Sequence, residues 1–438
     1  MRVKYAFRGY LPCGSPINEG TTMAQHQDIV IVGASLAGAK AAETLRDEGF
    51  DGRLVLIGEE EERPYERPPL SKDYLRGEAD RTTVYVHDGS FYATHEIELR
   101  TSCRVEAIEP SRNELILASG EHMPYGRLLL TVGAEPRRLP VPGADLDGVF
   151  SLRSLADSDA LRAGFATASN VVVIGAGWIG AEAAASARQS GCEVTMIEQA
   201  KVPLERVLGS EVGAIYRDIH ADHGVRFMGG TGVAALEGSG TVERVRLADG
   251  TQIDCDLVLV GVGVSPRTEL AEAAGLTVDN GILVDDHLQT SVPTIFAAGD
   301  VANAWHPFYQ SLVRVEHWAN ALNQGPAAAR SMIGKGSPYD RIPYFFSDQF
   351  DVGMEYSGYA PTWDRVIFRG DPASREFIAF WIKDERLVAG MNVNVWDVAE
   401  PIQALIRSRA VVDPSHLTDA NISLVDLVAR NKGAPLNG

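Results

Sequence analysis

The run Gly175-Ala176-Gly177-Trp178-Ile179-Gly180 follows four β-branched residues, Val171 to Ile174, and leads into a helix-forming stretch that ends near Ser190. A second apolar run, Val194-Thr195-Met196-Ile197, stops at Glu198. Strand, glycine turn, helix, strand and acid, in that order, can hold a dinucleotide. The first glycine permits the turn, the middle one lets the backbone approach a pyrophosphate, and the last lets the helix pack on the strand. The phosphates then face the helix N-terminus. Glu198 would accept hydrogen bonds from an adenosine ribose and repel a 2′-phosphate. That favours NADH over NADPH, although Lys201 nearby opposes the preference.

A similar pattern occurs earlier. Ile29-Val30-Ile31-Val32 leads into Gly33-Ala34-Ser35-Leu36-Ala37-Gly38, a helix-forming stretch to Glu48, the apolar run Leu54 to Ile57, and Gly58-Glu59. Ser35 stands where the middle glycine belongs, so this copy is the weaker one taken alone. The two copies also match further on. Leu117-Ala118-Ser119-Gly120, then Leu128 to Gly133 and Pro136-Arg137, echo Leu247-Ala248-Asp249-Gly250, then Leu257 to Gly263 and Pro266-Arg267. Each reads as a hairpin turn followed by a buried strand. Two dinucleotide units with the same hairpin insertion imply two dinucleotides, most economically a flavin and a nicotinamide. The elements that position them make an α/β chain.

Composition narrows the partners. The chain has 438 residues, 40 basic and 59 acidic, for a net charge of −19. Its length suits two or three domains. So negative a field disfavours nucleic acid or an anionic membrane surface as the main partner. Cys13, Cys103, Cys192 and Cys255 are far apart and form neither a disulfide framework nor a zinc site, which points to a reduced, cytoplasmic protein. Residues 1–23, up to and including Met23, read as a disordered extension without functional role; no export signal and no membrane-length apolar run is visible. His220-Ala221-Asp222-His223 lies in a helical stretch without a third ligand, so no metal is expected. Of the acidic run Glu59 to Glu62, the residues beyond Glu59 read as solvated.

Three further motifs accompany the turns: Pro64-Tyr65-Glu66-Arg67-Pro68-Pro69-Leu70-Ser71-Lys72, Ile295-Phe296-Ala297-Ala298-Gly299-Asp300, and Val313-Arg314-Val315-Glu316-His317-Trp318-Ala319-Asn320-Ala321. With them the chain resembles the FAD-dependent pyridine nucleotide oxidoreductases, and among these the ferredoxin reductases of Rieske-type ring-hydroxylating dioxygenase and bacterial cytochrome P450 systems. The resemblance runs from about Asp28 to the C-terminus. It implies two Rossmann-like domains in the glutathione-reductase manner plus a small C-terminal α+β domain. The implied boundaries are 24–136 with 264–334 for FAD, 137–263 for NADH, and 335–438 for the C-terminal interface domain.

The resemblance also assigns residues. Gly33, Ser35, Ala37, Gly38 and Glu59 would hold the adenosine diphosphate half of FAD, Gly299 and Asp300 its ribityl chain and pyrophosphate, with Val105 and Arg153 as further contacts. Arg67, Lys72 and Trp318 would lie along the flavin, where a cation stabilises the reduced, anionic ring. Gly175, Gly177, Ile179, Gly180, Glu182 and Glu198 would bind NADH, with Gly261 and Gly263 on the nicotinamide side. Lys72, Glu182 and Trp318 form the implied catalytic set, Lys72 and Glu182 as an ion pair beside the flavin. Asp348 and Gln349 are expected near the flavin.

The turn after Glu59 contains no cysteine, so two electrons delivered as hydride have no dithiol outlet there. A flavin can release them singly, which suits a separate [2Fe-2S] ferredoxin serving a Rieske oxygenase or cytochrome P450. Rubredoxin reductase, NADH oxidase, and an NADH-sensing flavoprotein resembling apoptosis-inducing factor stand as alternatives, and the molecule is expected as a monomer or homodimer. Ferredoxins are usually acidic, so docking calls for a local basic patch, with Arg67, Lys72, Arg76, Arg314 or their neighbours expected to supply part of it.

Overall fold

The computed structural model describes residues 28–432, with side chains to residue 429. The leading extension, with Cys13 and Met23, lies outside the described residues. The first glycine turn belongs to a five-stranded parallel sheet in the order Ile295–Ala297, Arg127–Leu130, Ile29–Val32, Leu54–Ile57, Ile97–Arg100. All four residues of Ile29–Val32 are buried, as expected for a central parallel strand covered on both faces. Helix Leu36–Asp47 follows the turn, and helix Trp318–Met332 crosses it so closely that a Cβ on Gly325 would stand 2.3 Å from the Ala37 carbonyl oxygen.

The second turn belongs to a sheet of the same design, in the order Arg226–Gly229, Glu193–Glu198, Asn170–Ile174, Leu257–Val260, Val149–Phe150. In both sheets the strand feeding the turn is central, its successor lies on one side, and the strand returning from the hairpin insertion lies on the other. Both insertions are three-stranded antiparallel sheets, each carrying an irregularity early in its first strand, between Val105 and Ala107 and between Val233 and Ala235. The segments Ala134–Pro136 and Val264–Pro266, which run between the two sheets, pair antiparallel side by side.

The C-terminal part is a five-stranded antiparallel sheet followed by helix Ala399–Ser408 and two further helical segments. Strand Glu376–Lys383 is buried from Phe377 to Ile382 because the sheet is covered on both sides. Alternate residues face opposite ways along a strand. Phe377, Ala379 and Trp381 pack with Leu208, Val212 and Tyr216 of helix Glu205–Asp222, while Ile378, Phe380 and Ile382 pack with Ile402, Leu405 and Ile406 of the sheet's own helix. Helix Glu205–Asp222 breaks at Gly209, whose φ of 84° and whose place against the Trp363 ring require glycine. Beside the break the Leu208 carbonyl accepts a hydrogen bond from Trp381 Nε1 at 3.2 Å. Among the described residues no helix is long and apolar enough to cross a membrane. The architecture is the expected one: two α/β units of Rossmann type and a C-terminal α+β unit.

Candidate active site

A cleft lies where the three parts of the chain meet. Ser35, Ala37, Arg67, Lys72, Gly299, Asp300 and Trp318 line it from the first unit, Arg153, Ile179 and Glu182 from the second, and Phe345 and Phe346 from the C-terminal sheet. Gly33, Gly38, Glu59 and Val105 lie outside its wall, as do Gly175, Gly177, Gly180, Glu198, Gly261 and Gly263.

The glycines of the two turns divide by what surrounds them. A Cβ on Gly38 would stand 2.2 Å from the Gly33 carbonyl oxygen, and one on Gly180 2.0 Å from that of Gly175. Gly33 and Gly175 press equally hard on Thr131 and Gly261. These positions are closed by packing. Gly177 is different: a Cβ there meets nothing within 4 Å, and the same holds for Gly263. The second turn therefore keeps open space in front of the N-terminus of helix Trp178–Gln189, where a pyrophosphate fits. Ser35 occupies the matching place in the first turn, makes no side-chain cap bond, and lines the cleft. The residues present fit a dinucleotide at each turn.

The acids that end the second strands are engaged differently. Glu198 accepts hydrogen bonds from the Ala176 and Ala200 amides at 2.7 and 3.0 Å, so its carboxylate braces the turn. Glu59 is half-exposed and ion-paired with Arg267. Val105 sits in the core of the first unit.

The segment Pro64 to Lys72 is held in place by the second unit. Tyr65 donates to Glu60 at 2.5 Å and accepts from the Leu155 amide at 3.2 Å, and burial pushes its phenol up to about 12. Ser158 Oγ donates to the Leu70 carbonyl at 2.9 Å, and Ser186 Oγ donates to that of Ser71 at 2.6 Å. This brings Lys72 Nζ to 2.9 Å from Glu182 Oε2, with both side chains almost fully buried. Asp300 is paired with Arg153 at 2.7 Å, and Arg314 donates to its carbonyl at 3.1 Å. Gly299, at φ 80°, has its amide on Gln324 Oε1 at 2.9 Å. Trp318 opens helix Trp318–Met332 beside Phe346 at 5.9 Å, and near Glu66, whose carboxyl is pushed up by burial.

Some expectations need correction. Asp348 and Gln349 stand beside the cleft without lining it: Asp348 lies within electrostatic reach of Lys72 and Glu182, its carboxyl pushed up by burial, and Gln349 turns inward to Ser347 and His220. The four cations expected as a docking patch are paired within the chain, Arg67 with Glu60, Lys72 with Glu182, Arg76 with Asp73 and Glu78, and Arg314 with Glu316. None is more than about a quarter exposed, so they do not form a free basic surface. His220, Asp222 and His223 have separate partners in Gln349, Arg375 and Asp351. Residues that the sequence left unmarked include Ser71 and Ser347, both hydrogen-bonded to Glu182. Ser71 lies inside a motif already singled out, whereas Ser347 reaches the site only through the packing of the C-terminal sheet.

Comparison with known proteins agrees with this geometry. Residues 27–325 match the pyridine nucleotide-disulphide oxidoreductase model, and residues 344–428 match a reductase C-terminal model. The chain is 36% identical to putidaredoxin reductase of Pseudomonas putida over 94% of its own length and 99% of the relative's. It is 40% identical to the 5,5′-dehydrodivanillate O-demethylase ferredoxin reductase subunit of a Sphingobium species, over 92% and 99%. Anthranilate 1,2-dioxygenase system ferredoxin–NAD(+) reductase component of Burkholderia cepacia is 39% identical, over 90% and 98%. The solved structure of a covalent putidaredoxin reductase–putidaredoxin complex superposes with a TM-score of 0.90 at 37% identity, covering 93% of this chain and 99% of that one.

Proposed function

The chain belongs to the pyridine nucleotide-disulphide oxidoreductase family, and on that premise we propose that it is a cytoplasmic NADH-dependent ferredoxin reductase. FAD held at the first turn would supply a group able to take hydride from NADH held at the second and to pass electrons on singly to a [2Fe-2S] ferredoxin serving a Rieske oxygenase or a cytochrome P450. Gly33 and Gly38 let the first turn close tightly, and Ser35, Ala37, Gly299 and Asp300 face the larger cofactor. Gly177 leaves room for the phosphates of the smaller one. Phe345 and Phe346 add an apolar wall to the cleft from the C-terminal sheet. Lys72 presents its ammonium there with Glu182 behind it.

The observation that carries the choice of acceptor is the wall of the cleft. Among the described residues no cysteine lines it: Cys192 and Cys255 are buried elsewhere and Cys103 stands beside the first hairpin insertion. The disulphide that names the family has no counterpart at this site, so electrons must leave to another molecule. Relatives of nearly equal length bear ferredoxin reductase names, which supports a ferredoxin as that molecule. Cytochrome c reduction by NADH, measured with and without added [2Fe-2S] ferredoxins, tests the reading. A rate that rises at least tenfold with ferredoxin and saturates is expected. Oxygen consumption that matches NADH use and is indifferent to every ferredoxin would favour an NADH oxidase.

A further inference from the structure

Glu182 is reached from all three parts of the chain. Ser71 Oγ and Lys72 Nζ meet Oε2, at 2.5 and 2.9 Å, while Ser347 Oγ donates to Oε1 at 2.7 Å. Behind Ser347 the contacts continue. Gln349 Nε2 donates to Ser347 Oγ at 3.1 Å, and Gln349 Oε1 lies 2.9 Å from His220 Nε2. The directions follow from the inventory of donors. Ser347 has one proton, which goes to the carboxylate, so its oxygen accepts from the Gln349 amide. The Gln349 carbonyl then requires a donor, which puts the imidazole proton on His220 Nε2 and makes the row run one way.

All three members are fully buried, at 2% exposure or less, between the apolar side chains of two packed layers. Polar groups at such positions add cost unless every partner is present, and apolar side chains of equal volume would pack there as well. Phe345, Ser347 and Gln349 share one face of their strand, so the face that brings Phe345 to the cleft continues directly into this polar row.

We propose that Ser347 is a positioning residue for hydride transfer. By fixing Oε1 it keeps Oε2 directed at Lys72, and Gln349 with His220 holds the Ser347 hydroxyl in that orientation. This deepens the proposed function and rests on NADH reducing a flavin at this cleft.

The test uses the FAD-loaded protein without any acceptor, so a failed ferredoxin assay leaves it intact. Anaerobic stopped-flow reduction by NADH and the flavin midpoint potential are measured for Ser347→Ala, Ser347→Thr and Gln349→Leu. Ser347→Ala is expected to lower the limiting rate about tenfold, leave the NADH dissociation constant within twofold, and shift the potential downward. Ser347→Thr restores all three, and Gln349→Leu moves them the same way by a smaller factor. Unaltered limiting rate and potential in a Ser347→Ala protein that melts normally would overturn the proposal, as would equal damage from threonine. Should Ser347→Ala fail to load FAD, Gln349→Leu decides, and wild-type behaviour there counts against the proposal. An unaltered protein that NADH cannot reduce would instead sink the function itself.

Discussion

Lys72 Nζ and Glu182 Oε2 stand 2.9 Å apart with side-chain exposures of 8% and 4%, although 110 positions separate them in sequence, a pair buried where two dinucleotide units face each other. Such a pair gains little over an apolar contact, yet breaking it from one side leaves a charge without its counterion. Lys72→Met is therefore expected to lower stability by about 3 kcal/mol. Glu182→Gln keeps the size of the side chain but removes its charge and one of the two oxygens that accept from Ser71 and Ser347. It should likewise lower stability, by about 3 kcal/mol, because the buried Lys72 ammonium loses its counterion, while slowing flavin reduction by NADH about tenfold or more. Thermal melts beside anaerobic stopped-flow traces check both, and an unchanged reduction rate in Glu182→Gln would remove the catalytic assignment.

The two kinds of glycine in the second turn should separate binding from folding. Gly177→Val enters open space, so the expected outcome is an unchanged melting temperature with NADH affinity reduced at least tenfold. Gly180→Ala drives a methyl group into the Gly175 carbonyl at 2.0 Å, and overpacking of that kind costs roughly 1–3 kcal/mol or more. Melting curves and NADH titrations of the two proteins provide the comparison. A Gly177→Val protein that binds NADH normally would mean that the nucleotide does not cross this turn.

His220 gives a pH dependence of definite sign. Burial holds its imidazole down at about 4, with the Gln349 hydrogen bond opposing and His223 adding to the depression. As pH falls below the ordinary value near 6.5, the unfolded chain takes up this proton before the folded one, so stability declines from there to about pH 4 and not further on this account. The full effect is on the order of 3 kcal/mol. Carboxylates add their own slopes, so the quantity to measure is a difference. The melting temperature of His220→Asn should fall less steeply than that of the unaltered protein between pH 7 and 4.5; parallel curves would refute the assignment.

The strands and glycine turns were legible because their signals are local: continuous apolar runs for strands covered on both faces, then glycine at fixed spacing. The duplicated strand order also followed, since both halves repeat the same landmarks through Gly133 and Gly263. Roles along Pro64 to Lys72 came only through family resemblance, for a Pro-Pro-Leu-Ser-Lys run by itself reads as a turn. Counting cations near a motif misjudged the docking surface, because pairing partners such as Glu60 and Glu316 come from the folded arrangement and lower the free charge of Arg67 and Arg314. Ser347 and Gln349 were out of reach for a related reason. Which face of their strand meets the second unit is set by the register of the C-terminal sheet, and a shift of one residue would reverse it.

Strand Glu376–Lys383 has no face of its own: one side completes a core with helix Glu205–Asp222 and the other with helix Ala399–Ser408. The piece of this molecule that can be exchanged between relatives is accordingly larger than the sequence boundary near residue 335 suggests. A chimaera joined there would graft a foreign sheet onto a helix broken at Gly209 to receive Trp363 and to offer its Leu208 carbonyl to Trp381. The natural unit of inheritance is the sheet together with that helix, so whatever surface a new C-terminal part brought for its partner, the nucleotide-binding half would have to change with it.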